Sequence, residues 1–420
     1  MNLKNYLTTF IYWLNKIFFL TEIERSTRFD ILDGFRGILA ITVVIQHTIA
    51  IFHLGGDYVF FDGTGYYVGV VSFFILSAFL LTYKMFNQFC KSNGYYKEMI
   101  LIVIKYFIRR FFRIYIPYVA FCIYAKLNLT YSTRFGLWYE SMFNLLTLKS
   151  VGANHLGTIP PEVKYYFFIP VFSFVTFKLK RFIFIWIAII IMVIYLIDQY
   201  NLFDLNSYFF RFLVGKEYSM PFIFFIFLFG SLLGILFHKL QKINSSEFRI
   251  LDFLHYFVSF ILFGMVLYGA KHNSNYYFRN NYQFTTQYQF RYSIYWTIFI
   301  LFLLLEKKSK FSEVMNLTIL KKCGEYSFGI YLMHHDALAG VKYLNQKNFM
   351  NKTGLEIITL ALILSYFCGM CFYHFIEVPS MNVGNYVIDK ISSSKCFKRP
   401  IVTDALEPLI PISLTDEELK

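Results

Sequence analysis

Residues 32–54 read LDGFRGILAITVVIQHTIAIFHL. This stretch is long and apolar enough to cross a bilayer, because a membrane-spanning helix needs roughly 20 apolar residues. It also carries ionisable side chains, with Arg36 near its start and His47 further along. These two residues are 11 positions apart, which on an α-helix is about 20° from whole turns and about 16 Å of rise. We therefore predict that they share one face of a transmembrane helix.

The composition extends this prediction from one segment to the whole chain of 420 residues. Aromatic residues make up 22% of the sequence and charged residues 16%, whereas soluble proteins contain about 25% charged residues. The mean hydropathy is +0.49. These values exclude a soluble enzyme, a disordered chain and a secreted disulfide scaffold, and they favour a protein with many membrane spans.

Apolar segments recur along the sequence and predict about ten transmembrane helices. They cover residues 35–54, 66–86, 113–129, 163–178, 182–199, 220–238, 251–270, 292–305, 326–345 and 355–376. An even number of spans places both termini on one side, and cytoplasmic segments of membrane proteins collect lysine and arginine. Most of the 40 lysine and arginine residues fall on the side of the termini. We therefore predict an all-α polytopic membrane protein with both termini cytoplasmic, whose net charge of +14 needs no nucleic-acid partner.

Three regions are predicted along the chain. Residues 1–28 form an uncleaved amphipathic segment at the membrane interface, residues 29–380 form the membrane domain, and residues 381–420 form a disordered cytoplasmic tail. The loop of residues 130–161 is the longest outside segment and is expected to fold against the helices. The six cysteines show no paired zinc-like spacing, so we predict neither a metal site nor a disulfide.

Ionisable residues inside or beside the predicted helices are the candidates for function. Such side chains are costly inside a membrane and generally face the bundle interior, so we favour a functional role for His47, whereas Arg36 is nearly as consistent with an interfacial anchor. Arg110 and Arg113 suit phosphate groups, because guanidinium donates paired hydrogen bonds to anionic oxygens. Ordinary anchoring at the inner surface is an equal alternative for them. Glu162 follows two prolines at the start of a span, where it either pairs with an arginine or helps to activate a hydroxyl.

Six motifs in order resemble the acyltransferase-3 family of membrane acyltransferases over most of residues 29–380. They are LDGFRG at 32–37 with the paired Arg36 and His47, GVVSFFILSAF at 69–79, RFFR at 110–113, TIPPEVKYYFFIP at 158–170, YSFGIYLMHH at 326–335 and FIEVP at 375–379. Each fragment alone is weak, but six in the family's order are specific. Ala78, Gly157 and Asp336 depart from the family pattern, and these departures bear on the acceptor pocket rather than on the histidine and the arginines.

The resemblance implies an O-acetyltransferase of bacterial surface polysaccharides. The donor would be acetyl-CoA or another acyl-CoA, used as a co-substrate, with no tightly bound cofactor. Arg36, Arg110 and Arg113 would bind the phosphates of the donor. His47 would remove a proton from the acceptor hydroxyl or carry the acyl group, and Glu162 completes the predicted catalytic pair.

The resemblance also leaves some questions open. His334 is a second candidate histidine, although we expect it to serve helix packing.

The implied partners are membrane lipid and a surface polysaccharide or lipid-linked glycan, in the inner membrane of a bacterium, and a homo-oligomer stays open. A transporter or flippase of lipid-linked sugars is the alternative function, and a sugar polymerase is a third that would need a large outside loop. Thiol release from acetyl-CoA distinguishes the acyltransferase from a transporter.

Overall fold

A computed structural model describes residues 29–54, 65–92, 94–128, 141–148, 154–199, 221–240, 264, 286–305, 310–346 and 353–393. Within these residues every regular element is a helix, which confirms the predicted all-α class for them. Four helices in the described part of the chain are long and apolar enough to cross a membrane, and they cover Asp30–Phe52, Val68–Lys91, Ile223–Leu240 and Gly354–Ser392. The predicted interfacial segment 1–28 lies outside the described residues, as does the apolar segment 251–270 apart from Gly264.

The first half of the described chain supplies helices α1 to α7. They are α1 Asp30–Phe52, α2 Val71–Lys91, α3 Tyr96–Arg110, α4 Ile116–Leu127, α5 Met142–Leu146, α6 Ile159–Lys178 and α7 Ile183–Gln199. A π-helical turn at Gly65–Val70 precedes α2, and another at Phe111–Tyr115 joins α3 to α4 in one continuous rod. Because π-helical turns often occur at functional sites, the second one is notable for containing Arg113.

The second half supplies helices α8 to α14. They are α8 Pro221–Leu240, α9 Thr286–Leu305, α10 Lys310–Met315, α11 Thr318–Glu325, α12 Ser327–Gln346, α13 Gly354–Phe372 and α14 Val378–Ser392. A π-helical turn at Tyr373–Glu377 joins α13 to α14. The helix therefore continues past the predicted start of the tail at residue 381. It is held there because the Ser380 hydroxyl donates to the carbonyl of Phe112 in the other π-helical turn.

Helix α1 packs backbone to backbone against α10 and α11 at its first turns. A Cβ added to Gly34 would lie 1.7 Å from the carbonyl oxygen of Met315, and one added to Gly37 would lie 2.2 Å from that of Leu320. Neither distance is possible for real atoms, so only glycine allows this approach. The glycines of LDGFRG thus serve helix packing, and they fix the position of Arg36 between them.

The apolar interior forms where α2 meets α8. A Cβ added to Gly230 would lie 2.3 Å from the carbonyl oxygen of Ile75, which matches the use of small residues at contacts between membrane helices. The rings of Phe74 and Phe227 pack beside this contact in a tilted arrangement, with their centroids 4.6 Å apart. The Thr82 hydroxyl donates to the Ser231 hydroxyl at 2.8 Å, so a polar contact also joins the two helices.

Helix α12 runs parallel to α1. The side chain of Arg36, in the second turn of α1, reaches Ser327 at the start of α12. Further along both helices, His47 meets His334. The contacts follow one another in ascending residue order on both helices, so α1 and α12 point in the same direction. Their facing polar side chains form what we call the polar seam, which includes Arg36, His47, Ser327 and His334.

Candidate active site

Arg36 lies at one end of this seam. Its Nη2 donates to Ser327 Oγ at 3.2 Å, and its Nη1 lies 3.8 Å from Asp33 Oδ1. The two residues are three positions apart on α1, a spacing that brings side chains together on a helix. The charges of Arg113 and Glu377 also act on Arg36. This guanidinium is therefore held by a hydroxyl and by nearby carboxylates rather than simply anchored at a surface.

Arg113 and Glu377 complete what we call the arginine site, made of Arg36, Arg113 and Glu377. Each of the last two comes from one of the π-helical turns. Glu377 is buried, with 1% of its surface exposed, and the charges of both arginines act on it. Two guanidinium groups thus come together here, and guanidinium donates paired hydrogen bonds to anionic oxygens, which suits an anionic ligand.

Arg110 has different neighbours from Arg113. Its charge acts on Tyr106 and Tyr166, whereas that of Arg113 acts on Arg36 and Glu377. The backbone changes from α-helix to π-helix between the two arginines, and a wider turn carries Arg113 round the axis by a different angle. Both charges also act on Lys84, so the two arginines share one neighbour and differ in the others.

Glu162 lies between α2 and α6. Its Oε1 accepts a hydrogen bond from Ser77 Oγ at 2.7 Å and another from the Tyr166 hydroxyl at 2.6 Å. Its charge also acts on Arg36. Both roles considered for this carboxylate, pairing with an arginine and activation of a hydroxyl, stay predictions. The two hydrogen bonds fix the side chain in one orientation.

The other end of the seam is a cluster of four histidines, His47, His155, His334 and His335. The ring centroids of His47 lie 5.0 Å from His334 and 4.9 Å from His335, and the latter two are 4.4 Å apart. His155 lies 4.5 Å from His335 and 5.1 Å from His334. His334 is fully buried and His47 half-buried, so the cluster is open on the His47 side.

Tyr331 ties the loop before α6 to α12 beside this cluster. Its hydroxyl donates to the carbonyl of His155 and shares a hydrogen bond of 2.6 Å with Thr158 Oγ1. The carbonyl of Tyr331 accepts from His334 Nδ1 at 2.7 Å. The prediction that the loop of residues 130–161 folds against the helices is confirmed for residues 154–158.

Together these contacts order the polar groups along the seam. Ser327, at the arginine site, is followed one turn later on α12 by Tyr331 and then by His334. Glu162 stands one turn after Thr158 on α6, which places it between the arginine site and the histidine cluster. On α1 the same path from Arg36 to His47 rises about 16 Å. The seam therefore has guanidinium groups at one end and imidazoles at the other.

Comparison with known proteins identifies the family of the chain. A family model for an acyltransferase domain matches residues 29–374. The chain belongs to the acyltransferase-3 family. No curated protein and no solved structure was found to match it.

Membership of the acyltransferase-3 family supports acyl transfer as the general activity. The matched range contains Arg36, Arg113 and the histidine cluster, and it ends three residues before Glu377. His334 was assigned by sequence to packing, yet it contacts His47 directly. His155 was not considered, because a histidine in a loop carries no pattern of its own. The doublet His334 and His335 inside an apolar span was the one available signal, since ionisable groups are rare in membranes.

Proposed function

We propose that this acyltransferase-3 protein moves an acyl group, most simply acetyl, from acyl-CoA to a hydroxyl of a cell-surface polysaccharide or of its lipid-linked precursor. The observation that carries the proposal is the polar seam with an arginine site at one end and a histidine cluster at the other. Such a seam separates recognition of an anionic donor from the chemistry of its acyl group.

The donor is proposed to bind with its phosphates at the arginine end. Coenzyme A carries a diphosphate and a 3′-phosphate, and guanidinium is the side chain best suited to paired hydrogen bonds with such oxygens. Arg36 and Arg113 contribute from the arginine site, and Arg110 contributes from the next turn of the same rod. The narrow pantetheine arm then extends along the seam towards His47. Acyl-CoA acts here as a co-substrate that leaves after each cycle.

At the histidine end, His47 acts on the acceptor in one of two ways. As a general base it takes the hydroxyl proton while the acceptor oxygen attacks the thioester carbonyl carbon. As a nucleophile its ring nitrogen first takes the acyl group and then passes it to the acceptor oxygen. In both routes the carbon–sulfur bond breaks and coenzyme A leaves as a thiolate that takes up a proton. Glu162 supplies a negative charge near Arg36, and its hydrogen bonds with Ser77 and Tyr166 hold it in place between the two ends.

We further propose about ten transmembrane helices with both termini in the cytoplasm of a bacterium, in its inner membrane. The parallel packing of α1 and α12 supports this topology, because the two are the first and ninth predicted spans and odd-numbered spans point the same way. The arginine site then faces the cytoplasm, where acyl-CoA is made, and His47 lies deeper in the membrane.

Purified protein and acetyl-CoA test the proposal. We expect thiol release that depends on an added glycan acceptor, or an acetylated histidine detected by mass spectrometry when the acceptor is withheld. His47→Ala should abolish both. If the wild-type protein produces neither thiol nor acylated histidine with any surface glycan fraction, the transferase assignment of this seam is wrong and transport of lipid-linked sugars becomes the better account.

A further inference from the structure

The histidine cluster contains more imidazole than the proposed transfer requires. One side chain is sufficient for the base or carrier role, but His334 and His335 lie on α12 with their rings against His47. The nitrogen atoms that these three residues can offer lie within 4.8 Å of one another. Imidazole is the commonest protein ligand for transition metals, so we ask whether the three rings fit an ion.

Ring spacing matches that of a tetrahedral site. Zinc binds imidazole nitrogen at about 2.0–2.1 Å, which with tetrahedral angles places neighbouring ring centroids about 5 Å apart and ligand nitrogens about 3.3 Å apart. The three centroid distances are 5.0, 4.9 and 4.4 Å. The rings thus already have the required separation, and small side-chain rotations of His47 and His335 would bring the nitrogens together.

His334 has the orientation of a metal ligand. Its Nδ1 faces the carbonyl oxygen of Tyr331 at 2.7 Å, and a carbonyl only accepts, so Nδ1 carries the proton. Nε2 then holds a lone pair, and it is buried without a hydrogen-bond partner. Ligand histidines almost always donate their other ring N–H to a carbonyl or carboxylate in this way.

We propose that His47, His334 and His335 bind a divalent transition-metal ion such as Zn²⁺. Three neutral imidazoles with a fourth position open form a ligand set that zinc accepts, and the ligands are nitrogens rather than the oxygens preferred by Mg²⁺ and Ca²⁺. His47 is half-buried and gives the ion its access. Bound metal occupies the lone pair of His47, so it blocks acyl transfer. That consequence rests on the proposed function, whereas the binding itself does not.

The binding test uses full-length protein in detergent, stripped with a chelator and titrated with Zn²⁺ by calorimetry and with Co²⁺ by visible absorption. We expect one ion per chain and the ligand-field bands of four-coordinate cobalt. His334→Ala and His335→Ala should each weaken binding at least about tenfold, since even the loss of an outer-shell partner costs this much. His335→Asn replaces His335→Ala if the latter does not fold. His238→Ala is the matched control, because His238 is a buried histidine whose ring contacts Tyr83 and Phe86 instead.

Two results would overturn the metal site. One is the absence of a four-coordinate cobalt spectrum, and the other is Zn²⁺ binding of equal strength in wild type, His334→Ala and His335→Ala. The activity measurement is separate. Zn²⁺ should remove most thiol release from the wild type, a chelator should restore it, and the fraction removed should fall in His335→Ala. If the protein binds Zn²⁺ as expected but releases no thiol without it, the proposed function fails while the metal site stands.

Discussion

The arginine site and the histidine cluster lie on the same helix but differ in what surrounds them. Arg36 is held by Ser327 and Asp33, with Glu377 close by. His47, in contrast, has two further imidazole rings as its neighbours. Fixed charges therefore surround one end of the seam, while imidazoles, which can give or take a proton, surround the other.

Under the proposed function, this difference separates donor binding from chemistry. A group of fixed positive charge orients phosphates but transfers no proton, because guanidinium stays protonated at all ordinary pH values. Imidazole can give or take a proton near neutral pH. Substitutions at the histidine cluster should consequently change the rate of acyl transfer, and substitutions at the arginine site should change the affinity for acetyl-CoA.

The largest effect is expected for His47→Ala. Loss of general-base or covalent catalysis should lower the rate of acyl transfer by roughly 10²- to 10⁴-fold. The affinity for acetyl-CoA, measured by calorimetry, should change little because the phosphates bind elsewhere. His238→Ala serves as the control. Retention of more than about a tenth of the wild-type rate would show that His47 does not carry the reaction.

Arg113→Ala should have the complementary effect and weaken donor binding. A hydrogen bond to a charged group contributes about 1.5–3 kcal/mol, which corresponds to roughly 10- to 150-fold in the dissociation constant for acetyl-CoA. Arg110→Ala should act in the same direction, and lysine should rescue each variant only in part. The exposed Arg181 provides the matched control. Unchanged affinity in both alanine variants would reduce these arginines to topology anchors.

Glu162→Gln changes the charge between the two ends of the seam. The amide oxygen still accepts from Ser77 or Tyr166, but the negative charge near Arg36 is lost. We expect kcat to fall about tenfold, since a charge-assisted hydrogen bond contributes about 1.5 kcal/mol. Glu356→Gln, at an exposed helix cap, is the control. Equal kcat values in both variants would leave Glu162 with a purely structural role.

Gly37→Ala should lower the stability of the folded protein. The new Cβ would meet the carbonyl oxygen of Leu320, and such overpacking costs about 1–3 kcal/mol. Gly340→Ala is the matched control, because nothing lies within 4 Å of a Cβ added there and alanine favours a helix. Thermal unfolding in detergent should show a lower midpoint for Gly37→Ala only. Equal midpoints for the two variants would contradict the close approach of α1 and α11.

Much of the bundle was predictable, because long apolar runs are strong signals. The predicted span 182–199 corresponds to Ile183–Gln199, and 326–345 corresponds to Ser327–Gln346. Half of the candidate site was predictable too. The shared face of Arg36 and His47 follows from helix geometry alone, and both take part in the seam.

The remainder of the site depends on contacts between distant parts of the chain. Nothing in a single sequence indicates that α12 lies beside α1, so the contact of His334 with His47 could not be derived. Nor does sequence reveal the π-helical turn that separates the surroundings of Arg110 from those of Arg113. His155 reaches the cluster only because its loop folds inward and is held by Tyr331.

We infer that the donor enters at the arginine end and that the acyl group is delivered from the histidine end. Vesicles with the protein in one known orientation test it most directly, with acetyl-CoA confined to the side of the arginine site and acceptor glycan to the opposite side. We predict acetylated glycan in this arrangement and none in the reverse one. Product formed only when both reagents share the side of the arginine site would contradict the account.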